Sequence, residues 1–470
     1  MIVAPVLDRL RELAGPGGAL TEPDLIEPYL VDHRKLYRGN TPLVLRPDST
    51  ERVAAIMRVC YEHGIGVVPV GGNTSYCGGA TPSPDGSQIV LSLARMRRVR
   101  ALDPLNYTLT VEAGCTLADV QAAAASMDRF FPLSLGSEGS CQIGGNLSTN
   151  AGGTAVLRYG MARDLCLGLE VVLPDGRVLD ELKGLRKNNT GFDLRDLFIG
   201  AEGTLGIITA AVLKVFPMPK SIVAALLAVP TPQAAVDLLA YLRPRTGDGV
   251  STFELIPRLA LELVLQHIPN SVDPLGERSE WYVLLEATTA RDDPSWNATI
   301  EALLADAMKL GYVTDAAIAQ SNAQRDAFWS LRERIPEAQT RAGASIKHDI
   351  SITTAQLPEF IREGTQLMQE MIPGVRVVSY GHLGDGNLHF NASVPEGGDP
   401  QEFLQRAPAL QRAIHDLVAR YGGSFSAEHG IGQLKRGELE RYKSPVALDI
   451  MRAIKRALDP KGIMNPGKVV

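Results

Sequence analysis

The chain has little cysteine, few aromatics and no long apolar run. Its 470 residues include five cysteines, Cys60, Cys77, Cys115, Cys141 and Cys166, all in the N-terminal part and none in a CxxC pair. That pattern argues against an iron–sulfur cluster or a cysteine zinc site. An odd number fits a reducing compartment better than a disulfide framework. No apolar stretch is long enough to span a bilayer, and Ile222–Val229 falls well short. Met1 to Leu13 lacks an apolar core of signal-peptide length and carries Asp8, Arg9, Arg11 and Glu12 on an amphipathic pattern. These lacks predict a cytoplasmic protein with no membrane span. Neither sign of charge is in large excess: the formal net charge is −6 over the whole length, which gives no basic face for nucleic acid.

What the chain does have is glycine and proline, 45 and 30 residues, gathered in motifs rather than in low-complexity linkers. Its length predicts two or three domains. Leu7, Leu10 and Leu13 sit at helical spacing. Asp48 with Glu51 makes a capping pair for a helix carrying Val53, Ile56, Met57 and Cys60 on one face. Val67–Val70 reads as a buried strand running into a glycine loop. Leu169–Leu173 and Val178-Leu179 read as a hairpin around Pro174-Asp175-Gly176. Pro217 and Pro219 mark a boundary, after which strands alternate with long helices and no Rossmann-type loop appears. This order predicts an α+β unit with an antiparallel sheet. The expected organisation is residues 1–218, 219–422 and a C-terminal segment, 423–470, that completes the site.

Two glycine-dense stretches stand out. Pro69-Val70-Gly71-Gly72-Asn73-Thr74-Ser75 follows a strand, with Gly78 close behind; Gly144-Gly145-Asn146-Leu147-Ser148-Thr149 lies after Ser137 and before Asn150 and Gly153. Successive N–H groups on a glycine-rich backbone can form an anion nest. Two nests suit a pyrophosphate, although glycines also simply make turns. There is no GxGxxG after a strand. Gly462–Lys468 has Val469 where a phosphate loop needs Ser or Thr.

Four of the eight histidines fall between residues 382 and 429. His382 and His389 flank a glycine-rich bend, and Glu428-His429 follows about forty residues on. These residues can make a catalytic metal site with an open position. His415 sits on a helix pattern, and Asp385 reads as a turn residue.

The two glycine strings, with Phe198-Ile199-Gly200-Ala201-Glu202-Gly203-Thr204-Leu205-Gly206-Ile207-Ile208-Thr209, resemble the FAD-binding half of the vanillyl-alcohol oxidase superfamily. With Gly381-His382, His389, Ala427-Glu428-His429-Gly430 and Asn465-Pro466-Gly467-Lys468, the likeness is to its FAD-linked D-2-hydroxyacid dehydrogenase branch, nearest its hydroxyglutarate subfamily. The resemblance runs from about residue 40 to the end. It implies a vanillyl-alcohol oxidase-type FAD-binding domain, an α+β substrate (cap) domain and a C-terminal helical segment. FAD contacts are implied for Pro69, Gly71, Gly72, Asn73, Thr74, Ser75, Gly78, Ser137, Gly144, Gly145, Asn146, Thr149, Asn150, Gly153 and Gly203. Ile208 is implied on the adenine side, and Asn465 at the isoalloxazine. Asn73 stands where some members attach flavin to a histidine, so non-covalent FAD is implied.

The same resemblance implies a divalent metal, zinc first, on His382, His389 and Glu428, with manganese or iron left open by ligand type. His429 is the candidate base, and Asn391 a donor to the substrate carboxylate. Arg332 and Lys347 resemble positions that hold the carboxylates of a D-2-hydroxy diacid, and Arg suits that task. Pro336 departs from the pattern, since the subfamily often has a hydroxyl residue there. The implied reaction is oxidation of D-2-hydroxyglutarate to 2-oxoglutarate, hydride passing from C2 to flavin N5. The implied acceptor is other than oxygen, an electron-transfer flavoprotein being one candidate, and a homodimer is one assembly open to the chain. Rivals are a D-lactate, glycolate or D-malate dehydrogenase, a zinc hydrolase, and a non-catalytic binding protein.

Overall fold

Short runs of Val, Ile and Leu between glycine turns build the strands of the first of two units, seen in a computed structural model that describes residues 2–470. That unit comprises Met1–Gly153, Gly160–Met218 and Glu428–Val470. Strands β1 (Ala19–Leu20), β2 (Val44–Leu45), β3 (Gly66–Val70) and β4 (Gln88–Ser92) form a sheet in the order β1-β2-β4-β3. Both β2 and β3 run parallel to β4. All five residues of β4 are buried, as expected of a parallel strand covered on both faces. The helix Thr50–His63 links β2 to β3 and buries Val53, Ala54, Ile56, Met57 and Cys60. Its N-cap is Ser49, whose side chain accepts from the Arg52 N–H. Asp48, the expected cap, instead pairs with Arg52 and Arg95, each at 3.0 Å. Gly64, in the left-handed region at φ 64°, ends the helix.

A second sheet of this unit is antiparallel throughout. It holds β5 (Val99–Asp103), β6 (Thr108–Glu112), β8 (Cys166–Val172), β9 (Val178–Glu181) and β10 (Ile207–Lys214), in the order β5-β6-β10-β8-β9. The expected hairpin is β8–β9. The short strands β7 (Arg129–Phe130) and β11 (Phe216–Pro217) pair with each other. After the helix Pro445–Leu458 the chain lies along β3: the Val67 N–H donates to the Ile463 carbonyl, and the Asn465 N–H to the Val67 carbonyl, each at 2.8 Å. This brings Asn465 beside the strand that leads into the first glycine loop.

The second unit comprises Thr154–Tyr159 and Pro219–Ala427. Its strands are β12 (Ser221–Val229), β13 (Val250–Pro257), β14 (Trp281–Thr289), β15 (Asp315–Ile318), β16 (Ser345–Ile346), β17 (Asp349–Ser351), β18 (Arg376–His382) and β19 (Asn387–Ser393). They form one eight-stranded antiparallel sheet in the order β15-β12-β14-β13-β18-β19-β16, with β17 also on β19. The period of two is visible in β12. Val223, Ala225 and Leu227 share a core with the helices Pro232–Arg245 and Trp296–Lys309, while Leu226 and Ala228 share another with Arg258–His267. Each Val or Leu so buried contributes about 1.5–3 kcal/mol. All five cysteines are buried. Among the described residues no helix is long and apolar enough to cross a membrane.

Candidate active site

In the second unit the two site histidines close a hairpin. His382 ends β18 and His389 lies in β19, with ring centroids 5.9 Å apart. Glycine is required at the bend. Gly381 has φ 151°, and a Cβ there would meet the Asn387 carbonyl oxygen at 2.5 Å. Asp385 makes the expected turn, its carboxylate accepting the Asn387 N–H at 3.1 Å. The neighbouring strand β13 brings Glu254 opposite His382 in the antiparallel register.

Glu254 is fully buried and meets two side-chain nitrogens. Its Oε1 lies 2.5 Å from His382 Nδ1, and its Oε2 accepts from Arg332 Nε at 2.7 Å. Burial alone would raise this carboxyl; the His382 imidazole and the Arg332 guanidinium outweigh it and lower it to about 2. Arg332, 7% exposed, closes the helix Asn322–Glu333, and its guanidinium lies 4.8 Å from the Tyr380 ring centroid. Removing one partner would leave a buried charge uncompensated, at a cost of about 3–5 kcal/mol.

The other sequence-derived residues of this unit lie on β16 to β19 and the helix Ile335–Arg341. Lys347 lies between β16 and β17, half-buried. Asn391 is buried in β19: its amide oxygen accepts the His348 N–H at 3.1 Å, and its Nδ2 donates to Gln339 at 3.0 Å. One amide hydrogen is therefore all it has for a substrate. Pro336 sits in the first turn of the helix Ile335–Arg341, where a missing N–H is harmless. Asp349 accepts from Asn387 Nδ2 at 3.0 Å, and its carbonyl takes the Ala427 N–H at 3.3 Å.

The first unit holds the glycine loops. A Cβ on Gly72 would meet the Ser140 carbonyl oxygen at 2.1 Å, and one on Gly71 would lie 3.5 Å from Gly145. The two loops therefore adjoin at backbone distance. The N–H groups of Gly72, Asn73, Thr74 and Ser75 donate to no protein acceptor among the described residues, as a nest requires. The Asn73 amide, at φ 52°, anchors the loop to the Pro28 and Val31 carbonyls. The second loop is partly engaged: Gly144 N–H binds the Ala113 carbonyl, Asn146 N–H the Gln142 carbonyl, and the Thr149 hydroxyl the Gly145 carbonyl. Ser137 turns the chain ahead of it, and Asn150 accepts the Arg163 N–H at 3.0 Å. Gly203 packs against Pro69, and Ile208 is buried in β10. Gly78, at φ 66°, lies against the Tyr37 ring.

Glu428 Oε1 accepts the Gly153 N–H at 3.2 Å, and the His429 ring stands edge-on to Tyr76 at 4.7 Å. Asn465 donates to the Gly79 and Glu202 carbonyls at 3.0 and 2.8 Å. Glu202 in turn accepts the N–H groups of Ile431 and Gly432, two and three residues past His429. Burial pushes its carboxyl up, and those two N–H groups oppose the rise. Neither Glu202 nor Glu254 emerged as a site residue from the sequence. The available signal for Glu254 was a lone carboxylate in the otherwise uncharged strand Val250–Pro257.

A model of FAD linked oxidases, C-terminal domain, matches residues 218–469, and a model of an FAD binding domain matches residues 41–181. D-2-hydroxyglutarate dehydrogenase, mitochondrial, from Bos taurus is 40% identical over 458 residues, covering 97% of this chain and 81% of the relative. The Danio rerio protein of the same name is 38% identical, covering 97% and 83%. D-2-hydroxyglutarate dehydrogenase from Stutzerimonas stutzeri is 35% identical, covering 99% and 98%. The fold is similar to that of p-cresol methylhydroxylase with substrate bound (TM-score 0.77, 17% identity, covering 100% of this chain and 97% of that one). It is also similar to alkyldihydroxyacetonephosphate synthase (TM-score 0.74, 17%, 99% and 85%).

The residues present fit FAD. Besides the open N–H groups of the first loop, Gln142 Oε1, Asn146 Oδ1 and Asn465 Oδ1 are buried without a protein partner, each a group that a polar ligand would satisfy. The zinc hydrolase rival leaves the FAD-binding match without a purpose. The cytoplasmic expectation is corrected. The relatives from Bos taurus, Danio rerio and Arabidopsis thaliana are named mitochondrial, against that expectation. The lack of an apolar core in Met1–Leu13 bears only on the secretory route, whereas import into organelles uses amphipathic segments without such a core. With its FAD-binding match and its near full-length relatives, the chain belongs to the FAD-dependent D-2-hydroxyacid dehydrogenases.

Proposed function

We propose that the protein oxidises D-2-hydroxyglutarate to 2-oxoglutarate. The observation that carries this reading is Arg332: a buried guanidinium held on the same carboxylate as a site histidine, in a chain whose near full-length relatives bear that substrate's name. Arg332 meets Glu254 through Nε, and a diacid, unlike a monocarboxylate, brings a second carboxylate to the Nη side of the guanidinium. Lys347, between β16 and β17, is the second cation for the substrate's carboxylates.

FAD, when bound, would supply at N5 the two-electron acceptor for the C2 hydride. It is held without a covalent link, because the first loop carries Asn73 and no histidine. His382, His389 and Glu428 would hold a divalent ion, zinc by donor type, which would polarise the substrate's hydroxyl. His382 has Nδ1 engaged by Glu254, so Nε2 is the nitrogen it can offer. A neutral His429 imidazole takes the hydroxyl proton as the hydride leaves, so proton and electron pair depart to different groups. Asn391 can give its remaining amide hydrogen to a substrate carboxylate. The electrons pass to an acceptor other than oxygen, an electron-transfer flavoprotein being the expected class. One observation favours a second reading, D-malate: Pro336 has no hydroxyl for the distal end of the longer diacid.

Steady-state kinetics with a dye acceptor test the diacid pocket. Arg332→Ala and Lys347→Ala should each raise the KM for D-2-hydroxyglutarate by about tenfold or more, the worth of one charge-assisted hydrogen bond. Wild-type KM values in both variants would rule the pocket out.

A further inference from the structure

We propose that Glu254 is a positioning residue that sets the tautomer of His382 and the orientation of Arg332 together. Metal retention and recognition of the second carboxylate would then depend on one buried side chain. The inference rests on the reading of His382 as a metal ligand and of Arg332 as a carboxylate binder.

The argument is one of donors and acceptors. Glu254 is 0% exposed and meets two ring or guanidinium nitrogens, at 2.5 and 2.7 Å. An ionised carboxylate only accepts, and Arg Nε–H only donates. The second carboxylate oxygen therefore requires hydrogen on His382 Nδ1, which leaves the lone pair on Nε2, the nitrogen available to a metal. Binding at Nε keeps the Nη1 and Nη2 side of Arg332 outside this contact, where it can take a substrate carboxylate in fork geometry. The register fixes the arrangement, since Glu254 and His382 are direct partners across β13 and β18. Arg332 reaches the same carboxylate from the buried face of its helix, beside Phe328 and Leu331.

A glutamine at 254 discriminates between this role and simple packing. Arg332 cannot give up its Nε hydrogen, so the amide oxygen of Glu254→Gln must face it. The amide NH2 then faces His382 Nδ1 and drives the imidazole proton to Nε2, the wrong tautomer for a ligand. Zinc affinity of the FAD-loaded full chain, measured by competition with a chromophoric chelator, should fall about 10–100-fold. The double variant Glu254→Gln/Arg332→Met frees the amide to turn its oxygen to Nδ1, so zinc affinity should recover while preference for the diacid is lost. A packing role predicts no such recovery. Wild-type zinc affinity in Glu254→Gln, or a further loss in the double variant, would overturn the inference. Should the single variant fail to load FAD, two neutral pairs decide. Glu254→Gln/Arg332→Met should hold zinc about 10–100-fold tighter than Glu254→Leu/Arg332→Met, and equal affinities would overturn the inference. A wild-type chain that oxidises D-2-hydroxyglutarate yet binds no zinc removes the metal role and this inference but leaves the substrate assignment standing.

Discussion

At the residue scale, burial decides which groups can take part in chemistry. The helix Thr50–His63 buries Cys60, and strand β8 buries Cys166; burial pushes both thiols up to about 12. A thiol so placed stays protonated and inert where an exposed one would ionise. Iodoacetamide at pH 8.5 should label Cys60 and Cys166 only after denaturation, as peptide mass spectrometry would show. The unfolded thiol ionises near its ordinary 9 and the folded one near 12, so the stability each contributes is complete below 9 and is lost as pH rises toward 12. The loss is about 1.4 kcal/mol per pH unit for each thiol in that window. Denaturant titrations of Cys60→Ala should show a shallower fall in stability from pH 9 upward than the wild type. The importance of Glu254 was not legible at this scale, because its two partners come from residues 332 and 382 and no local pattern announces them.

Elements were more legible where period and punctuation agree. Val377 and Val378, a glycine-rich bend and Phe390 read as strand, turn and strand, and they form the β18–β19 hairpin. The same holds for β3, which runs into its glycine loop, and for the β8–β9 hairpin. The start of the helix Thr50–His63 was misread by one residue, because Asp48 and Ser49 are both good caps. Tertiary contacts decide between them: Arg52 and Arg95 draw the Asp48 carboxylate away and leave the cap to Ser49. Ser49→Ala should therefore destabilise the protein by about 1 kcal/mol, and Asp48→Asn should leave the cap itself intact. Equal losses in thermal denaturation of the two variants would contradict this assignment. The pairing of β13 with β18, which creates the carboxylate–histidine contact, joins strands more than a hundred residues apart and had no local signal.

At the scale of the whole molecule, the ordered succession of glycine strings, histidine motif and Asn465-Pro466-Gly467-Lys468 carried the family, and the comparisons agree with it. Location was not legible, because a missing secretory core says nothing of other destinations. The chain returns to the first unit at Glu428, the residue after Ala427, which ends the second unit. The most direct test of the account is anaerobic mixing of the purified FAD-loaded protein with single 2-hydroxyacids, followed through the flavin absorption band. D-2-hydroxyglutarate should bleach the band and leave 2-oxoglutarate, while L-2-hydroxyglutarate and D-lactate should bleach it far more slowly. A band unchanged by D-2-hydroxyglutarate, or bleached faster by D-lactate, would contradict the account.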